Sequence, residues 1–160
     1  MPRARSVSPG RNAQFPTRYG HAERIFTGRS IREFGVDVAL AEIADQLNEA
    51  QPGDVEASVA AWFDHYERYG DLVVRNLADE ADPAVAETVR TGRKRHRQRV
   101  VRQFAPQLTR VPEHAVTRLV DGLVCACDVY TWKLLRRDIG RSRERAEATM
   151  CQTVRALLGE

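Results

Sequence analysis

The sequence predicts an all-α protein, and three observations carry that prediction. Apolar residues recur at spacings of three and four along most of the chain, no segment alternates with period two, and aspartate or serine repeatedly stands just ahead of an apolar stripe. Together these describe amphipathic helices with side-chain caps, and no strands.

The first 20 residues hold Pro2, Pro9, Pro16, Gly10 and Gly20 among serines and arginines. So little apolar surface cannot offset the entropy of ordering the chain, so 1–20 reads as a disordered basic arm. Ala22 to Glu33 carries a weak helical pattern through Ile25, Phe26 and Ile31, although Gly28 costs about 1 kcal/mol relative to alanine. Gly35 is a stop, and Asp37 caps a helix through Leu40, Ile43, Ala44 and Leu47 that Gln51-Pro52-Gly53 ends.

Asp54 caps the next helix, striped by Val55, Val59, Trp62, Phe63, Tyr66 and Tyr69. Gly70 predicts a break, with Asp71 capping a fresh helix that holds Leu72, Val73, Leu77 and Ala78. Asp82-Pro83 is a cap followed by proline at the first helical position, opening a helix through Val85, Val89, Val100, Val101 and Phe104 up to Pro106. After Val111-Pro112 one helix of roughly 26 residues is expected, apolar on more than one face, stopping at Asp138-Ile139-Gly140. Ser142 caps the last helix, with Glu144 favoured by the dipole ahead of Ala146, Met150, Val154, Leu157 and Leu158.

Composition bounds the function. The 160 residues suffice for one compact domain with a short appended module, and no apolar run approaches the roughly 20 residues of a membrane span. The basic, polar first ten residues are not followed by a signal-peptide core, so a cytoplasmic protein with no membrane partner is expected. The net charge of +3 is uneven. Arg3, Arg5, Arg11, Arg18, Arg24, Arg29 and Arg32 face only Glu23 in the first 32 residues, giving +6 there and −3 over the remainder. Attraction to phosphate is therefore concentrated at the front.

Cys125, Cys127 and Cys151 fall in helical sequence and read as small core residues, not as a disulfide framework. Cys125 and Cys127 stand about 200° apart around a helix, which excludes a chelating pair, and no metal is expected. The chain has no Gly-x-Ser-x-Gly, phosphate loop or His-Glu-x-x-His, so neither an enzyme nor a cofactor is expected.

Trp62, His65, Tyr66 and Tyr69 lie on successive turns and, with Tyr130, could line a small-molecule pocket; the same stripe could equally be core and rim aromatics of a bundle. The run from Arg93 to Arg99 reads as a solvated helix face, because consecutive residues fan around the axis by about 100°. Asp79, Glu80 and Asp82 read as capping and solvated carboxylates.

One family resemblance is present. The run Asp128-Val129-Tyr130-Thr131-Trp132-Lys133-Leu134-Leu135-Arg136-Arg137-Asp138, then Ser142-Arg143-Glu144 and Val154-Arg155-Ala156-Leu157-Leu158, resembles the last two helices of TetR/AcrR-type bacterial transcriptional regulators. Phe34 to Ala44 resembles the join between the first two helices of that family's helix-turn-helix. The resemblance implies a helical bundle of the TetR regulator C-terminal type over 54–160, with a short, truncated helix-turn-helix-like module over 21–50. It implies a homodimer, with Leu123, Val124, Cys127, Tyr130, Thr131, Leu134, Met150, Val154 and Leu157 as interface candidates, a small-molecule effector, and DNA contacts from Arg24, Arg29 and Arg32. The chain departs from the pattern at one place. Asp45 to Gly53 is nine residues, too short for a recognition helix and a fourth helix. Reading base edges needs that recognition helix in the major groove, so sequence-specific DNA binding is in doubt. The alternative is a ligand-binding or dimerisation module that does not bind DNA and sequesters a full-length relative.

Overall fold

A computed structural model describes residues 50–160 of the chain. The expected arm, all but the last residue of the helix-turn-helix-like module over 21–50, and the DNA-contact candidates Arg24, Arg29 and Arg32 lie outside the described residues.

Within that span the protein is all-α. The helices are α1 (Val55–Ala78), α2 (Pro83–Gln103), the single turn α3 (Ala105–Leu108), α4 (Glu113–Ala126), α5 (Val129–Lys133) and α6 (Arg143–Leu158), with a π-helical turn at Leu134–Asp138 between α5 and α6. No described helix is long and apolar enough to cross a membrane.

Three of the caps that the sequence predicts are in place. Asp54 accepts from the amide of Ala57 at 2.9 Å, Asp82 from Ala84 at 2.8 Å with Pro83 opening α2, and Ser142 from Arg145 at 3.3 Å. Each satisfies an amide that the first turn of a helix leaves without a partner.

α1 packs against α2, α2 against α4, α4 against α6, and α6 back against α1. Four long helices therefore surround one core. Val59 and Phe63 of α1, Val100 of α2, Leu123 of α4, and Met150 and Val154 of α6 are all fully buried in it. Apolar burial on this scale is the main force holding such a bundle together. α5 lies along α1, where Trp132 is fully buried.

Two expectations about helix boundaries are corrected. Gly70 does not break a helix, since α1 runs uninterrupted for 24 residues, and Asp71 is not a cap but an exposed partner of Arg137. The glycine is there for space. A Cβ at Gly70 would stand 2.5 Å from Cζ3 of Trp132, so only glycine lets the indole lie on α1.

The expected 26-residue helix is instead divided. α4 ends at Ala126, and Asp128 caps α5 by accepting from the amide of Tyr130 at 2.9 Å. The carbonyls left at the end of α4 find side-chain donors. His96 of α2 reaches Val124 O at 3.1 Å, Tyr66 of α1 reaches Cys127 O at 2.8 Å, and Thr131 reaches Cys125 O at 2.8 Å. Beyond α5, the amide of Ile139 bonds back to Leu134 O at 2.9 Å in a π turn, and Gly140 at φ +72° ends it where the sequence predicts.

The two-faced helix finds both of its partners inside one chain, α2 on one side and α6 on the other. Of the interface candidates, Leu123, Cys127, Met150 and Val154 are at most 1% exposed. They belong to the core of a single chain and have no surface to give a second copy. Val124 and Thr131 are half-buried, while Tyr130, Leu134 and Leu157 remain exposed. The cysteines divide as well. Cys127 is core, with burial pushing its thiol up to about 12, whereas Cys125 is exposed and Cys151 is half-buried.

Candidate functional site: an aromatic and arginine-lined cavity

A cavity of about 430 Å³ lies between α1, α2 and the junction of α4 with α5. α1 supplies Trp62, His65 and Tyr66, with Val73 and Leu77 further along the same face. These are three and four residues apart, so successive helical turns aim them at one place. The third wall exists because the chain breaks at Cys127 and Asp128. That break turns Asp128, Val129 and Tyr130 toward α1.

α2 brings the second wall. Val89, Gly92, His96 and Arg99 recur at three- and four-residue spacing and all line the cavity. Gly92 contributes emptiness: a Cβ there would meet nothing within 4 Å. His96 stands edge-on to Trp62 with ring centroids 4.8 Å apart, and the Arg99 guanidinium lies over the same indole at 5.3 Å. Tyr66 stacks on Trp62 at 5.8 Å.

The charge states follow from burial. His65 is lowered to about 4, chiefly by desolvation, with the positive charge of Arg99 and then His96 acting in the same direction. His96 is also lowered, by desolvation, against the opposing pull of its bond to Val124 and of Asp128. A carbonyl can only accept, so the neutral His96 carries its proton on Nε2 and leaves Nδ1 as an acceptor. Arg99 is lowered to about 10 by burial and by Arg102, which leaves it cationic at neutral pH. Tyr66 is pushed up by burial and stays a phenol that donates to Cys127.

The cavity therefore presents aromatic faces, two neutral imidazoles and several guanidinium groups. Such a surface can hold a small organic molecule by stacking and by charge. Compared with family models, with curated proteins and with solved structures, the chain matches none.

Four of the five sequence-predicted pocket residues, Trp62, His65, Tyr66 and Tyr130, come together at this cavity. Tyr69 does not line it and flanks His65 instead, with ring centroids 5.5 Å apart. The sequence reading missed His96, Arg99 and Asp128. Lys94 is solvated and Arg97, exposed at the cavity's rim, pairs with Asp121 at 2.5 Å, while His96 and Arg99 are half-buried in its wall. The available signal was the stripe from Val89 through Gly92 and His96 to Arg99, hidden by the number of arginines around it. Of the acidic cluster, Asp82 is a cap and Glu80 pairs with Arg93 at 2.7 Å.

Proposed function

We propose that residues 54–160 form a sensor domain that binds a small organic molecule in the cavity between α1 and α2. One observation carries this reading. A cavity of about 430 Å³ opens beside a well-packed core, with apolar and aromatic walls and a few polar groups converging on it. Small-molecule sites are built this way. Its walls belong to α1, α2 and the start of α5, so a bound molecule touches three elements at once and can favour one arrangement of them over another.

The resemblance to TetR/AcrR-type regulators supplies a role for such binding. In that role the chain is a homodimeric transcriptional regulator, and the effector changes DNA affinity by binding two states unequally. Self-association then falls to the exposed Tyr130, Leu134 and Leu157, with the half-buried Val124 and Thr131 beside them, since Leu123, Cys127, Met150 and Val154 are core. DNA contact falls to the basic front of the chain, which includes Arg24, Arg29 and Arg32. A second reading is favoured by the nine residues from Asp45 to Gly53: a ligand-binding or dimerisation module without sequence-specific DNA binding, which sequesters a full-length relative.

Two experiments test these readings. A panel of small aromatic acids, amines and neutral compounds is screened by thermal shift against the wild type and Gly92→Phe, whose added ring occupies the open space at that position. Compounds that raise the melting temperature of the wild type leave the variant unmoved; equal shifts in both proteins contradict the cavity as the site. Binding to promoter DNA is then titrated at two salt concentrations against unrelated competitor. Competitor-resistant binding supports the regulator, and weak, salt-erased binding equal for both DNAs supports the sequestering module.

A further inference from the structure

We propose that the cavity takes a neutral aromatic hydrogen-bond donor, such as a phenol or an indole, whose O–H or N–H donates to the second carboxylate oxygen of Asp128 while its ring lies against Trp62, Tyr66 and Tyr130. The proposal rests on the cavity being a ligand site and names what it takes.

Asp128 uses one oxygen and leaves the other. Oδ1 accepts from the amide of Tyr130 at 2.9 Å, which caps α5. Oδ2 makes no hydrogen bond with any described residue. It stands 4.0 Å from Nε2 of His96, beyond hydrogen-bond length, and that N–H is already given to Val124 O at 3.1 Å. Asp128 is half-buried in the cavity wall, where a hydrogen bond to a charged oxygen is stronger than at an open surface.

Two imidazoles extend the same character. With its proton on Nε2, His96 keeps Nδ1 as an acceptor. His65 makes ring contacts with Tyr66 and Tyr69 and no hydrogen bond among the described residues, so in its neutral form one of its nitrogens is an acceptor as well. All three acceptors belong to half-buried side chains of the wall. The donors around the cavity are placed differently. Arg93, Arg95 and Arg97 are exposed, with Arg93 paired to Glu80 and Arg97 to Asp121, and Arg99 lies over the Trp62 indole. Asn76 and Thr88 carry both a donor and an acceptor and do not discriminate.

Burial argues for a neutral ligand. The desolvation that holds both imidazoles in their neutral form acts equally on an ammonium brought between the same walls. A phenol or an indole brings its donor without a charge, and its ring suits a space of about 430 Å³ with aromatic and apolar sides.

The test uses the full chain and two probes of nearly the same shape, naphthol and its methyl ether, with dissociation constants read by equilibrium dialysis near neutral pH. Naphthol donates one hydrogen bond and the ether none. Naphthol is expected to bind about tenfold more tightly, the gain a hydrogen bond to a charged group brings. Asp128→Asn keeps an oxygen to cap α5, since asparagine caps as well as aspartate, and turns the second atom from an acceptor into a donor. In this variant the preference for naphthol is lost while the ether binds as before or more tightly. A preference that survives Asp128→Asn overturns the role of Asp128. Equal or tighter binding of the ether to the wild type, abolished by Gly92→Phe, overturns the donor preference but keeps the cavity as a ligand site, and this comparison needs no change at Asp128. Binding of both probes that is indifferent to Gly92→Phe overturns the cavity itself.

Discussion

The indole of Trp132 lies on α1 directly over Gly70, so close that a Cβ at Gly70 would stand 2.5 Å from Cζ3 and 2.7 Å from Cη2 of the ring. Trp132 has no exposed surface and cannot swing aside. Its Nε1 also donates to Glu67 at 3.2 Å, and the same carboxylate accepts from Arg136 at 2.5 Å. The first bond ties the ring to α1 itself, one turn before Gly70.

Gly70→Ala is the first prediction. Alanine in a helix interior is favoured over glycine by about 1 kcal/mol, so on helix propensity alone the variant would be stabilised. Overpacking against the fixed indole costs about 1–3 kcal/mol and wins. Urea unfolding of the variant is expected to show a lower midpoint with an unchanged slope. A higher midpoint would mean that α5 does not press on α1 as described.

Tyr66→Phe tests the break between α4 and α5. The hydroxyl is buried and bonds to Cys127 O at 2.8 Å, so its removal strands a carbonyl that the end of α4 cannot satisfy internally. A loss of about 1–3 kcal/mol is expected by equilibrium unfolding. The phenyl ring still fills the wall of the cavity, so ligand-induced thermal shifts should survive. Loss of binding with unchanged stability would reverse the roles assigned to this side chain.

Acid sensitivity follows from the histidines. His65 is held neutral until about pH 4, while an unfolded histidine takes up its proton near pH 6.5. Between those values the unfolded chain binds more protons than the folded one, so stability falls as pH drops through that window. His65 alone accounts for up to about 3 kcal/mol, and His96 shifts in the same direction. Denaturant midpoints compared at about pH 7 and about pH 5 should separate, and by less in His65→Phe. An equal separation in the variant would show that His65 is not buried in its neutral form.

The regulator reading makes its own prediction. Leu134 is 50% exposed and Leu157 is 40% exposed, and a second copy is the partner that reading assigns to them. Sedimentation at micromolar concentration should then give a dimer, with Leu134→Lys shifting it to a monomer. A wild-type monomer would remove the homodimer and, with it, the main prop of the resemblance.

The legibility of the sequence was set by how local each signal is. Asp54, Asp82 and Ser142 act within three residues of themselves, so the starts of α1, α2 and α6 were readable. Gly70 and Asp128 are decided by distant partners. Nothing in the sequence around Gly70 says that a tryptophan 62 positions later will rest on it, and Asp128 interrupts a stripe whose apolar pattern continues unbroken. Three side chains serve the carbonyls freed by that interruption, two of them from other long helices, which local periodicity cannot foresee. The cavity was half legible for the same reason. The aromatics of α1 form an apolar stripe, but His96 and Arg99, half-buried in the cavity wall, sit in a basic run whose average polarity masks them.

The most direct test of the cavity as a ligand site uses the protein's two tryptophans, whose indole N–H groups give two separate resonances. Trp62 lines the cavity, whereas Trp132 lies outside it with its N–H bonded to Glu67. On titration with naphthol, followed by proton–nitrogen correlation spectra, the Trp62 resonance is expected to move saturably while the Trp132 resonance stays in place. Movement of Trp132 with Trp62 unchanged, or saturable binding that moves neither, would contradict the account.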